Sequence, residues 1–245
     1  MIILFLSSGL LLGWSLGAND AANVFGSAVG SKMVSFRQAA IISSIFVIIG
    51  SVVQGTGASD TLGRLGAVNA IGGSFTVALA AAIVVFMMTK FALPVSTTQA
   101  IVGAIIGWNL FTGNPTDAAT LTNILSTWVS GPVLGAVFAV ILYILLKTVK
   151  RKSAIHLVRF ESYIRTGLII VGAFGAYSLG ANNIANVMGV FVPAFNLHPL
   201  DLKLFTLSSQ QQLFLLGSLV IAAGIITYSR RVMEQVGNNI MELSS

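Results

Sequence analysis

Two long stretches of this chain, 67–89 and 127–146, are mostly apolar and contain no charged residue. A helix needs about 20 such residues to cross the hydrocarbon core of a bilayer. Only 8% of the whole chain is charged, whereas about a quarter of the residues in a soluble domain are charged. The chain therefore has too few charges to cover a water-facing surface, and the sequence predicts an all-α polytopic membrane protein.

The other apolar blocks are shorter than these two stretches. Blocks 100–111 and 184–195 are too short to cross a bilayer alone, and short segments interrupted by Gly or Pro are typical of broken helices and re-entrant hairpins. The N-terminal segment lacks the basic start and cleavage site of a signal peptide, so we expect it to remain as the first span. The remaining apolar blocks are 2–16, 38–54, 166–179 and 213–227.

A basic segment divides the chain at residues 147–165. It holds six of the 13 basic residues and one acid, Glu161, so the positive-inside rule predicts a cytoplasmic loop. We therefore expect a first transmembrane repeat at 1–146, a linker at 147–165 and the start of a second repeat at 166–245. His156 in the linker and His198 further along are expected to be solvated. We interpret the net charge of +6 as a signal of membrane topology, and we expect no nucleic-acid partner.

A twelve-residue motif occurs twice, as SLGANDAANVFG at 15–26 and SLGANNIANVMG at 178–189. Nine of the twelve positions are identical, and they include asparagines and glycines as well as apolar residues. A repeat separated by 163 residues indicates two duplicated copies. Transporters are commonly built from two copies in inverted topology, with the substrate site between them near mid-membrane.

The first motif places Asn19, Asp20 and Asn23 inside an apolar segment. A carboxylate in a bilayer costs about 2.5–3.5 kcal/mol and should have a partner, but no basic residue is nearer in sequence than Lys32. We therefore expect a cation, Na⁺ or H⁺, beside Asp20, in a helix that unwinds at Gly17. Alternatively, the asparagines only bond neighbouring helices and Asp20 faces a distant arginine.

A second polar cluster lies in FALPVSTTQAIVG, residues 91–103. Ser96, Thr97 and Thr98 are residue types that cap helix N-termini, and an apolar run follows them. A helix N-terminus offers free N–H groups and partial positive charge, which suits an oxyanion. An ordinary cap at the membrane surface is the alternative. The chain contains no cysteine, no P-loop and no nucleophile elbow, so nothing favours an enzyme, and no cofactor is expected.

These motifs closely resemble the inorganic phosphate transporter (PiT) family, in which a G-A-N-D-x-A-N element is duplicated and a P-V-S-T-T-Q-like element follows in each copy. The resemblance implies a symporter in the cell membrane that imports phosphate with Na⁺ or H⁺ by alternating access. It implies that six residues bind phosphate: Asn23, Ser96, Thr97, Thr98, Gln99 and Asn186. It implies that four residues bind Na⁺: Asn19, Asp20, Asn182 and Asn183.

The chain departs from the family pattern in two places. Asn183 stands where the first copy has Asp20, so the two halves are unequal. By the spacing in the first copy, the P-V-S-T-T-Q element of the second copy would begin near residue 257, and no such element occurs before Ser245. We therefore expect the second repeat to be incomplete. A permease for sulfate or another oxyanion, a non-transporting receptor or assembly subunit, and a homo-oligomer remain open.

Overall fold

The computed structural model describes residues 2–65, 71–152, 157–201, 203 and 206–240. In these residues the chain is almost entirely helical, with one 3-10 helix after α7 and one small hairpin in which Leu200 pairs with Leu207. The helices are α1 (Ile2–Gly30), α2 (Phe36–Gln54), α3 (Thr56–Leu65), α4 (Ile71–Lys90), α5 (Thr97–Thr112), α6 (Ala118–Lys152), α7 (Leu157–Met188) and α8 (Ser209–Ile240). The 3-10 helix is Gly189–Ala194, and the strands are β1 (Leu200–Asp201) and β2 (Thr206–Leu207).

Five helical segments in the described residues are long and apolar enough to cross a membrane. They are Phe36–Gln54, Ile71–Lys90, Ala118–Arg151, Arg159–Ala194 and Ser209–Gly237. This result confirms the predicted multi-pass helical class. Helix α5 has 16 residues and is about 24 Å long at 1.5 Å per residue, so it forms the short arm of a hairpin with α4.

The helices that carry the duplicated motif are continuous, contrary to the predicted unwinding at Gly17. Helix α1 passes through residues 15–26 without a break, and α7 includes 178–188. Block 184–195 is therefore the end of a long helix and a 3-10 turn, not a separate half-helix. The motif glycines let neighbouring helices approach closely, and the backbone hydrogen bonds of α1 and α7 stay intact. A helix does break at Gly55, between α2 and α3.

The basic segment 147–165 is mostly helical, whereas a loop was expected. Helix α6 extends to Lys152 and α7 begins at Leu157, because lysine and arginine are good helix formers and let both helices continue past their apolar parts. His156 lies outside the described residues. The cytoplasmic side of this segment and the repeat boundaries stay predictions.

The first glycine of each motif lies at a close helix contact. A Cβ atom on Gly17 would lie 2.0 Å from the backbone oxygen of Ile221 in α8, and a Cβ atom on Gly180 would lie 2.2 Å from that of Val47 in α2. Small residues let helix backbones approach closely in membranes. The first motif therefore fixes α1 against α8, and the second fixes α7 against α2.

Helices α1 and α7 cross in antiparallel directions. A Cβ atom on Gly9 would lie 3.0 Å from the backbone oxygen of Val187, and Phe25 lies against Gly172. Gly9 and Phe25 are each eight residues from Gly17, while Val187 and Gly172 are seven and eight residues from Gly180. The two motifs therefore meet where their helices cross.

Candidate functional site

The turn between α4 and α5 presents the N-terminus of α5. Ser96 is the N-cap among the three residues of cap type, and its hydroxyl accepts a hydrogen bond from the Gln99 N–H at 3.2 Å. The Ala100 N–H donates to the Ser96 carbonyl at 3.1 Å. No hydrogen bond from the described residues occupies the N–H groups of Thr97 and Thr98, so the first turn of α5 keeps two free donors.

Asn19 holds this turn against α1. Its side-chain amide donates to the Thr89 hydroxyl at 3.0 Å and to the Leu93 carbonyl at 2.9 Å. Its side-chain oxygen accepts from the Val95 N–H, also at 2.9 Å. Asn19 is fully buried, and its bonds to Leu93 and Val95 fix the turn that precedes α5.

Asp20 lies directly beside the start of α5. Its Oδ2 accepts a hydrogen bond from the Thr97 hydroxyl at 3.1 Å. Its Oδ1 is buried and has no hydrogen-bond partner among the described residues. A buried carboxylate oxygen without a donor is unfavourable unless a cation or a proton reaches it. In the described part of the chain, Asp20 therefore bonds Thr97 and pairs with no arginine, contrary to the alternative interpretation.

The second motif binds the neighbouring residue, Thr98. The Thr98 hydroxyl donates to Asn183 Oδ1 at 3.4 Å and accepts from the Asn186 amide at 2.9 Å. The Asn186 amide also donates to Asn183 Oδ1 at 2.8 Å. Two consecutive threonines therefore join α5 to different copies of the motif, Thr97 to the first and Thr98 to the second.

Two cavities lie on either side of this junction, and Thr98 and Asn183 line both. The first cavity, about 360 Å³, is lined by Asp20, Asn23, Pro94, Val95, Ser96, Thr97, Thr98 and Asn183. The second cavity, about 380 Å³, is lined by Ala58, Thr61, Leu62, Thr98, Val102, Ile124, Thr127, Trp128, Asn182, Asn183, Ala185 and Asn186. Thr98 and Asn183 thus form part of the wall between the two cavities.

The structure separates three of the predicted site residues from the central hydrogen bonds. Asn23 is exposed in the first cavity and Asn182 is exposed in the second. Gln99 is exposed and lines neither of these cavities. Sequence reasoning missed Thr89, which accepts from Asn19, because a lone threonine in an apolar helix resembles any other membrane threonine.

No group of three or more His, Cys, Asp or Glu side chains within the described ranges is placed to hold a metal ion. A monovalent cation does not need such a group, since hydroxyl, amide and backbone oxygens complete its shell. Asp20 Oδ1 is the buried carboxylate oxygen that such a cation would approach.

Comparison with known proteins identifies the family. The phosphate transporter family matches residues 16–245. The "Putative phosphate permease" of Pyrococcus horikoshii is 27% identical in an alignment of length 320 that covers 100% of this chain and 79% of that protein. "Sodium-dependent phosphate transporter 1" of Mus musculus is 31% identical over 178 residues, covering 68% of this chain and 25% of that protein.

A solved structure, "The sodium-dependent phosphate transporter", has a similar fold. Its TM-score is 0.75 at 22% identity, with 99% of this chain and 79% of that chain covered. This likeness supports the polytopic helical fold, and the sequence match decides the family. Since that match extends over nearly the whole chain, the chain belongs to the phosphate transporter family, as its motifs predicted.

Proposed function

We propose that this chain is a symporter that moves inorganic phosphate together with Na⁺ or H⁺. Membership in a phosphate transporter family already supports phosphate transport and makes the chain a permease, not an enzyme. The observation that carries the finer proposal is the position of α5. Its N-terminus lies between Asp20 of one motif and Asn183 and Asn186 of the other.

Phosphate would bind at the start of α5. The free N–H groups of Thr97 and Thr98 and the positive end of the helix dipole suit an oxyanion. Asn23 lines the same cavity and can donate from its amide. Gln99 belongs to the proposed phosphate set only if its side chain turns toward the cavity. The full proposed set is Asn23, Ser96, Thr97, Thr98, Gln99 and Asn186.

Coupling would follow from the charge of Asp20. An ionised Asp20 beside the start of α5 repels a phosphate bound there, and a cation or proton on Oδ1 removes that repulsion. Phosphate and cation would therefore bind better together than separately. The proposed cation set is Asn19, Asp20, Asn182 and Asn183. Asp20 is its charged member, and Asn182 lines the second cavity.

The wall between the two cavities supports alternating access. If the bonds from Thr98 to Asn183 and Asn186 are exchanged for bonds to phosphate, the first and second cavities become continuous. The antiparallel crossing of α1 and α7 supports two inverted copies, which in transporters rock around a shared central site. We propose that the two cavities are the two access routes.

The test is uptake of labelled phosphate by the purified chain in proteoliposomes, with and without imposed Na⁺ or proton gradients. We expect uptake to rise with one of the two gradients and to resist competition by sulfate. Uptake that ignores both gradients would contradict symport, and equal competition by sulfate would identify a general oxyanion permease. If phosphate binds but never enters the vesicles, the chain is a receptor or an assembly subunit.

A further inference from the structure

We propose that this chain carries a binding site for one acidic phospholipid, away from the phosphate site and independent of transport. The site begins with a cavity of about 520 Å³ at the helix ends where α1 meets α2. Lys32, Arg165 and Arg230 contribute positive charge to its lining, and Glu234 contributes negative charge. Lys32 follows the end of α1, and Arg165 and Arg230 lie at the ends of the apolar parts of α7 and α8, which is the level of lipid headgroups.

The positive charge of this cavity is only partly neutralised. Arg230 pairs with Glu234 at 2.8 Å. Arg165 donates to the neutral amide oxygen of Gln38 at 3.3 Å, and neither Arg165 nor Lys32 has an ion-pair partner in the described part of the chain. Two uncompensated cations in one concave site are suited to a phosphate ester.

The backbone at Lys32 also costs energy. Lys32 has φ 59°, in the left-handed region that glycine or asparagine adopts more readily. The turn therefore carries a lysine where glycine would fit with less strain. This conformation places a cation in the cavity wall.

An apolar groove begins one helical turn from the basic cavity. The groove is about 430 Å³ and is lined by Ile42, Phe46, Ile169, Ile170, Ala173, Phe174 and Tyr177 of α2 and α7. Ile42 follows Gln38 by four residues, and Ile169 follows Arg165 by four, so each pair shares a helix face. A phospholipid fills both spaces, with its phosphate on the cations and an acyl chain in the groove, whereas free phosphate would use only the cavity.

The bound lipid would contact both helices that carry the duplicated motif, α1 and α7. Its cavity is formed by the end of α1 and the start of α2, together with Arg165 of α7 and Arg230 of α8. A ligand that binds only this folded arrangement raises its stability by mass action. An acidic lipid should therefore stabilise the chain against unfolding in detergent.

The experiment measures lipid binding to the purified full chain in zwitterionic detergent, by native mass spectrometry and thermal unfolding. Phosphatidylglycerol should bind and raise Tm, and phosphatidylcholine should do neither. The double variant Lys32→Gly with Arg165→Gln should bind phosphatidylglycerol about 30-fold more weakly, the change expected for two basic side chains. Because glycine suits φ 59°, a folding defect is not expected from the Lys32 change.

A matched control removes two exposed charges outside the cavity, Lys147→Gln with Arg159→Gln, and should leave binding within about twofold of the wild type if the site is local. Ile170→Trp should obstruct the groove and also weaken phosphatidylglycerol binding. The proposal would be overturned if both double variants weakened phosphatidylglycerol binding equally, or if the Lys32 and Arg165 variant did not weaken it. If inorganic phosphate displaces the lipid and raises Tm equally, the cavity is an ion site and the lipid assignment is wrong.

Discussion

Replacing Asp20 by asparagine tests whether its charge couples the cation to phosphate. The Thr97 hydroxyl lies 3.1 Å from Asp20 Oδ2, and the free Thr97 N–H is at the same residue. A phosphate bound there would lie about 5 Å from the carboxylate, and at an effective dielectric of about 20 two unit charges at that distance repel by about 3 kcal/mol. That repulsion would weaken phosphate binding about 200-fold until a cation or proton neutralised it.

The Asp20→Asn variant should bind phosphate equally well with and without the coupling cation. Asparagine has the same shape, and its oxygen can still accept from Thr97. The second motif already has Asn183 at the equivalent position, so the local helix tolerates an amide. Phosphate affinity is measured in detergent by scintillation proximity over a range of Na⁺ concentrations and pH, and uptake is measured in proteoliposomes.

The control is Asp60→Asn, which makes the same chemical change on an exposed residue of α3. It should keep the full dependence on Na⁺ or pH. A coupling role for Asp20 would be refuted if Asp20→Asn kept the wild-type ratio between phosphate affinities measured with and without the cation. A variant that lost phosphate binding under all conditions would also refute it, because Asp20 would then bind phosphate itself.

Two further substitutions test how the site is held in place. Gly17→Ala should destabilise the fold by about 3 kcal/mol, seen as a lower Tm, because the new Cβ would meet the Ile221 backbone oxygen at 2.0 Å; Gly107→Ala, with open space around it, should be neutral or stabilising by up to about 1 kcal/mol. Asn19→Ala should remove the hydrogen bond of the partly buried Val95 N–H, which costs about 1 kcal/mol. Hydrogen exchange across 91–97 should then quicken and phosphate uptake should fall, while equal exchange in both proteins would show that Asn19 does not hold the turn.

The local chemistry of the site could be read from the sequence. Cap residues precede an apolar helical run at short range, so a helix start could be predicted at Ser96, Thr97 or Thr98, and the structure places the N-cap at Ser96. The duplicated asparagines likewise marked the two helices that supply the site. Both signals depend on residues close together in the chain, where spacing fixes geometry.

The pairing of those parts could not be read from the sequence. Thr97 bonds a residue 77 positions away and Thr98 one 85 positions away, and no spacing rule distinguishes which threonine meets which motif. The expected break at Gly17 was wrong for the same reason. A glycine can unwind a helix or let another backbone approach it, and only the position of Ile221 decides between these outcomes.

The unequal motifs have a physical explanation in their hydrogen bonds. Asn183 Oδ1 accepts from both Thr98 and Asn186, so its neutral carbonyl is satisfied by the protein. Asp20 receives one donor, from Thr97, and its second oxygen is left over. On the proposed route, a carboxylate in the second motif would add a negative charge between the two cavities and would repel the phosphate that passes there. With one carboxylate, the proposed mechanism has a single place where a cation is needed, and phosphate would meet only neutral side chains of the second motif.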